Sequence, residues 1–293
     1  MAAHASPTSL AVCAELACTW EARARKAGNV TPQHSFRDLT VDEFYRSATA
    51  IAPIIERSPN QSVGATVLQA IEATREVVSS NTNLGIVLLL APLAKVPRPF
   101  PLGAGIETIL DTLTVEDSRQ VFTAIRLAKP GGLGVRSSQD VRKEPTLPLR
   151  EIMALAQDED LIARQYIDAF AEVLEEGLPA LQRGMDRGKS LENAIILCQL
   201  TLLAAHPDSL IARKRGYHEA HEASCRAQDV LAAGWPGSVC GRTALAEFDA
   251  WLRAKNHQRN PGTTADLVTA SLFAALREGI IPVPCPLPWS HGV

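Results

Sequence analysis

Four short segments combine glycine, small polar residues and charge in ways that core packing does not require. They are Arg25-Lys26-Ala27-Gly28-Asn29-Val30, Asn81-Thr82-Asn83-Leu84-Gly85, the stretch from Pro207 and Asp208 to Arg213-Lys214-Arg215-Gly216, and Asn260-Pro261-Gly262-Thr263-Thr264-Ala265-Asp266-Leu267. The second and fourth place polar side chains at the start of an apolar helix. A helix N-terminus leaves backbone N–H groups unpaired and carries about half a positive charge. Such a start receives phosphate readily, and Asn or Thr side chains add donors. Asn81 or Thr82, and Thr263 or Thr264, would equally serve as plain caps. Two such starts together with Arg213, Lys214 and Arg215 point to a polyphosphate ligand. Asp266, inside a helix start, is placed either to cap or to hold Mg²⁺.

Two other patterns imitate known motifs and fail on spacing. Gly184 to Ser190 has one residue too few between its glycines for a P-loop, and no strand precedes it. His218-Glu219-Ala220-His221-Glu222 places its histidines at i, i+3 instead of the i, i+4 of a zincin helix. A helix end before the Ser190 cap and a solvated charged face account for them.

The elements that must position the four segments are helices. Thr40 to Glu43 reads as a capping box ahead of Phe44, Ala48, Ile51 and Ile55 on one face. Ser62 caps a helix with Val67, Leu68, Ile71 and Val78, and Thr114 to Asp117 repeats the box before Val121 and Ile125. Asp158 or Asp160 opens a helix carrying Ile162, Tyr166, Phe170 and Val173. Ser190 opens one with Ala194, Leu197 and Leu200, and Asp208 caps a short one through Arg213. Residues 217–233, 242–256 and those after Thr263 are helical too. Alternating strands closed by tight turns are missing, and aromatic content is 5%, low for a β-sandwich. The expected fold is all-α, a single compact multi-helix domain. Residues 96–105 and 129–145 read as long loops, and the Pro-rich tail 281–293 as extended chain.

A length of 293 residues with 46% hydrophobic composition supports a sizeable core. A net charge of −3 gives no basic field for nucleic acid. The apolar run from Leu84 to Leu93 is half of the ~20 residues a membrane span needs and holds Gly85 and Pro92. It reads as a buried helix, with no membrane partner. The start MAAHASPTSL lacks a basic n-region and a long apolar stretch, so a cytoplasmic location is expected. Six cysteines without C-x-x-C spacing fit a reducing compartment and no zinc site. Oligomeric state is left open.

The four segments, in this order, resemble the triphosphoribosyl-dephospho-CoA synthase family over roughly residues 15–278. The family's Lys-Pro-Gly-(Leu/Asn)-Val stands here as Lys26 to Val30, its Asn-Thr-x-x-Gly as Asn81 to Gly85, its Asp with an Arg-Gly turn as Asp208 with Arg213 to Gly216, and its Pro-Gly-x-x-Ala-Asp-Leu-Leu as Pro261 to Val268. The departures mark a divergent branch. Ala27 replaces the proline, Asn83-Leu84 replace a His-Lys pair, and no Arg-Gly-Glu segment appears mid-chain, where Gly131 to Gly134 and Asp140-Val141 stand instead.

The resemblance implies an enzyme, a pentosyltransferase. The family breaks the adenine–ribose bond of ATP and joins C1 of that ribose to the 2'-hydroxyl of 3'-dephospho-CoA, a precursor of the prosthetic group of citrate lyase or malonate decarboxylase. Such chemistry asks for a carboxylate facing the cationic ribose, a base for the attacking hydroxyl, and cations and N–H donors for the triphosphate. On this reading Asp208 and Asp266 serve ribose or Mg²⁺, the metal expected with ATP. Lys26 and Arg213 serve phosphate. Asn81, Asn83 and Thr263 serve phosphate or ribose hydroxyls, and Asn29, Asn260 and Gly262 belong to the same substrate-binding set. Asp38 and Asp140 are further candidates for the base. The divergence leaves room for another acceptor, for example in pterin or C1-carrier cofactor synthesis, or for a phosphoribosyl pyrophosphate donor. A different class, a non-catalytic helical protein that binds a nucleotide, also fits the lost His-Lys pair.

Overall fold

The computed structural model describes residues 8–37, 39–131, 138–188 and 190–289. In chain order the α-helices are α1 (Leu10–Arg23), α2 (Val41–Arg57), α3 (Val63–Val77), α4 (Leu84–Lys95), α5 (Leu102–Asp111), α6 (Val115–Ala128), α7 (Leu149–Ala154), α8 (Leu161–Gln165), α9 (Leu178–Gly188), α10 (Leu191–Ala205), α11 (Ser209–Arg215), α12 (Tyr217–Ala232), α13 (Val239–Arg253) and α14 (Gly262–Arg277). Among the described residues the β pairing is one isolated bridge, Thr31 with His34. The all-α reading holds.

Cap chemistry sets the starts. Thr40 with Glu43 and Thr114 with Asp117 close capping boxes, and Ser62, Asp160, Ser190 and Asp208 accept from the first amides of their helices. α4 is buried on every side except at Gly85 and Lys95, because α3, α5, α8 and α14 pack around it. Tertiary burial, not a bilayer, accounts for its apolar run. No single helix among the described residues is both long and apolar enough to cross a membrane. α14 is the second axis of the core. Its residues from Leu267 to Arg277 are buried, and it packs against α1, α4, α9 and α10. A smaller apolar cluster built on Leu200, Leu203, Ile211, Ala223, Phe248 and Leu252 joins α10 to α13.

Three expectations change. The loop placed at 96–105 is shorter, since α5 begins at Leu102. Arg277 holds what remains by donating to the carbonyls of Val96 and Phe100. The helix expected to run from Ile162 through Val173 breaks after Gln165, and the chain resumes as a π-helix over Glu172–Gly177. Ala169 and Phe170 take left-handed φ values of 48° and 64° at the break. Burial of Tyr166 and Phe170, with the Tyr166 hydroxyl donating to Leu88 O at 2.7 Å, outweighs helical continuity. Arg150 takes up the carbonyls of Tyr166 and Ile167 that the break frees. The Pro-rich tail is extended but docked: Pro288 O and Trp289 O accept from the first two amides of α10, and Arg23 lies over the Trp289 ring.

Candidate active site

The four segments converge where α1 ends and α4, α11 and α14 begin. Gly28, at φ +76°, bridges the first and fourth. A Cβ there would stand 2.8 Å from Leu252 Cβ and 2.9 Å from Pro261 Cδ, so only glycine suits both the backbone and the space. Asn29 donates to Asn260 Oδ1 at 2.8 Å and accepts from Gln199 Nε2 at 2.9 Å. Gln199 also donates to Ala27 O and accepts from the Ala27 amide, so one buried side chain on α10 holds Ala27 and Asn29 of the first segment. Gly262 opens α14 with Leu210 of α11 packed against it.

Asp208 binds the third segment to the fourth. Its Oδ1 accepts from the amides of Leu210 (2.9 Å) and Ile211 (3.0 Å), and its Oδ2 from the Thr264 amide (2.7 Å) and hydroxyl (2.8 Å). Each oxygen thus uses both lone pairs, and the residue has no exposed surface. Burial raises its pKa, and the hydrogen bonds from Thr264 and Ile211 pull against that rise. Sequence reading placed Asp208 on metal or ribose. The geometry makes it a buried double cap that joins α11 to α14, with no lone pair left for an ion.

Asp266 joins the fourth segment to the second. A Cβ on Gly85 would overlap the Asp266 carboxylate and stand 2.7 Å from Ile162 Cδ1. Gly85 is therefore the cradle against which the carboxylate rests. Burial pushes the Asp266 pKa well above the ordinary value. Glu21, Asp208 and Asp160 add like charge, and Arg213 opposes them. Arg213 pairs with Asp160 at 2.5 Å, and Asp160 Oδ1 caps α8.

The other expected ligands are placed differently. The Lys26 ammonium is sealed from solvent, 2.9 Å from Glu21 Oε1 and bonded to the carbonyls of Glu21 and Ala24. Its three donors are spent on closing α1, so it makes no direct phosphate contact in this state. Asn81 lies at the surface and caps α4 through Leu84 N at 3.2 Å. Asn83 is buried and donates to Thr74 Oγ1 at 2.9 Å, while its Oδ1 has no partner. Thr263 is buried beside Asp208, but Thr264 supplies the hydroxyl that meets it. Asp140 pairs with Arg142, two residues on. Asp38 and residues 132–137 lie outside the described residues.

Asn81→Ala should cost about 0.5–2 kcal/mol of stability as a lost cap. Urea denaturation should show it, with the KM for ATP unmoved. A KM change without a stability change would return Asn81 to the ligand set.

Sequence reading missed Glu21 and Gln199 and offered Thr264 only as a cap. Gln199 left a trace, being a lone amide in the apolar run Ala194 to Ala205. Asp160 showed only as a cap.

Residues 7–282 match the family described as ATP:dephospho-CoA triphosphoribosyl transferase. A probable 2-(5''-triphosphoribosyl)-3'-dephosphocoenzyme-A synthase of Pseudomonas syringae pv. tomato is 33% identical over 253 residues, covering 80% of this chain and 79% of that protein. A probable synthase of the same name from Pseudomonas savastanoi pv. phaseolicola is 35% identical over 104 residues, 36% of this chain and 35% of its own length. The 2-(5''-triphosphoribosyl)-3'-dephosphocoenzyme-A synthase of Klebsiella pneumoniae is 34% identical over 104 residues, 36% of each chain. A crystal structure from Archaeoglobus fulgidus, described as a candidate triphosphoribosyl-dephospho-CoA synthase, superposes with a TM-score of 0.63 at 27% identity. It covers 80% of this chain and 98% of that one. The chain belongs to the ATP:dephospho-CoA triphosphoribosyl transferase family.

Proposed function

We propose that this protein transfers the triphosphoribosyl group of ATP to 3'-dephospho-CoA and releases adenine. The observation that carries this reading is the meeting of all four family segments at one place, with Asp266 seated against Gly85 and the Asp160–Arg213 pair beside it. A carboxylate in that seat offsets the positive charge that builds on ribose as adenine departs. The guanidinium of Arg213, held by one nitrogen and exposed on its other side, is available to the triphosphate. Gly28 and Gly262 leave room for the side chains of Leu252, Pro261 and Leu210, which packs the loops around them together.

The residues present fit Mg²⁺ held mainly through substrate oxygens. Asp266 has neither a hydrogen bond nor an ion pair among the described residues. No three acidic, imidazole or thiol groups among them form a cage, and Mg²⁺ is commonly held by one or two carboxylates plus phosphates. When bound, the ion would neutralise triphosphate charge next to Asp266. Asn83-Leu84, which stand where the family carries His-Lys, are both buried, so the cations for the triphosphate come from elsewhere, with Arg213 the first candidate.

Purified protein with Mg²⁺, ATP and 3'-dephospho-CoA should release free adenine, measured by chromatography of the reaction mixture. Release of ADP or phosphate instead would reject the pentosyl mechanism. Adenine release that requires another acceptor would keep the mechanism and change the substrate.

A further inference from the structure

Four carboxylates gather where the segments meet: Asp266, and Glu21, Asp208 and Asp160, whose charges all bear on it. The proposed transfer needs a base for the attacking hydroxyl, and three of the four are already committed. Asp208 is fully buried with four hydrogen bonds. Glu21 is buried and neutralised by a Lys26 ammonium that is itself sealed from solvent. Asp266 is seated against Gly85 and, on the transferase reading, faces the charge that builds on ribose.

Asp160 differs on each count. Its side chain is 26% exposed. Its two oxygens do different things. Oδ1 accepts from the amides of Ile162 (2.9 Å) and Ala163 (3.4 Å), which locks the carboxylate plane to the start of α8. Among the described residues Oδ2 meets one group, the Nη1 of Arg213 at 2.5 Å. Arg213 is the more exposed partner, with 36% of its side chain in solvent. Ser209 Oγ accepts from Leu161 N at 3.0 Å, so α8 and α11 are fastened together and the pair does not depend on chance proximity.

A pair exposed by a quarter to a third of each side chain, at the rim of the site, is held weakly, by about 1 kcal/mol. A triphosphate carries several negative charges and offers a guanidinium a stronger bidentate partner than one carboxylate oxygen. Its arrival would therefore draw Arg213 away from Oδ2 while Oδ1 stays anchored on α8.

We propose that Asp160 is the catalytic base of the transfer, masked by Arg213 in the free protein and uncovered when the triphosphate takes that guanidinium. The inference rests on the transferase reading above. In the step, the acceptor hydroxyl gives its proton to Asp160 Oδ2 as its oxygen forms the bond to C1 of the ribose. The C1–nitrogen bond breaks, and its electron pair leaves with adenine, which takes a proton from water. Asp160 then returns its proton to solvent and Arg213 comes back when the product departs.

The test is Asp160→Asn. Asparagine caps helices as well as aspartate, so Oδ1 keeps α8 in place and thermal melting should stay near that of the native chain. The amide cannot take the proton. The kcat for adenine release with dephospho-CoA should fall about 10²–10⁴-fold, with the KM for ATP nearly unchanged or lower because Arg213 is free. Asp160→Ser, which keeps a capping oxygen, should show the same loss and guards against a folding artefact. Arg213→Ala should do the reverse, raising the KM for ATP more than it lowers kcat.

Two results would overturn the assignment. One is a folded Asp160→Asn protein with kcat within about tenfold of native, since a lost general base costs more than that. The other is a raised KM for ATP at unchanged kcat, which would make Asp160 a holder of Arg213 and nothing more. A native protein that releases no adenine would instead reject the transferase reading, and the base with it.

Discussion

Gly85→Ala should leave a folded, helical protein whose kcat for adenine release is about 100-fold below native. The added methyl overlaps Asp266 Oδ2 and meets Ile162 Cδ1 at 2.7 Å. Ile162 Cδ1 is the tip of a flexible side chain and can turn aside, so the overlap that matters is with Asp266. The Asp266 carboxylate has no hydrogen bond holding it and must move, by something on the order of an ångström, to restore ordinary contact. A displacement of that size at a reacting centre costs on the order of 10²-fold. Stability should hardly fall. Gly85 is the second residue of α4, where alanine is the better helix former by about 0.5–1 kcal/mol. Circular dichroism and steady-state kinetics on the same preparation check both halves. Native kcat/KM in this variant would remove Asp266 from the reacting centre.

Asp208→Asn should do the opposite: it should cost stability, about 2–4 kcal/mol, because it leaves buried donors unpaired. Asparagine can keep its Oδ1 on Leu210 N and Ile211 N. Its Nδ2 then faces the Thr264 amide and a hydroxyl that had donated to Oδ2. Donor meets donor where α11 joins α14, at a place sealed from solvent. Thermal melting should show the loss directly. Activity should fall mainly because the start of α14, and Asp266 four residues into it, is no longer held. If Asp208 held Mg²⁺ instead, the variant would melt like the native chain and need more metal. That outcome would reinstate the role its residue type first suggested.

The two predictions separate what the sequence showed from what it hid. Residue types and spacing were enough for the helical class, because capping oxygens and 3.6-residue periodicity are local. Thr40 with Glu43, Thr114 with Asp117, and the lone oxygens of Ser62, Ser190 and Asp208 all cap where local chemistry placed them. The four polar segments were likewise legible, since Gly, Asn and charge next to an apolar helix need a reason other than packing. The break after Gln165 was not legible, because the cap at Asp160 marks only where the helix starts and the cause of the break is not local. That cause is the long-range demand that Tyr166 and Phe170 be buried, with the Tyr166 hydroxyl bonded to α4.

Which atom of each segment faces the reaction was decided only by tertiary structure. Asp208 and Asp266 look alike in sequence, each near a helix start with a basic or polar neighbour. One is saturated by two helices that meet on it, and the other is left bare against a glycine 181 residues away in the chain. Lys26 reads as a phosphate cation, yet the turn at the end of α1 folds its ammonium back onto Glu21. Asp160 reads as a cap and gains Arg213 only because Ser209 draws α11 against α8. Local sequence determines which hydrogen-bonding groups a segment owns. How those groups are spent depends on donors and acceptors that arrive from distant parts of the chain, and no local rule reports them.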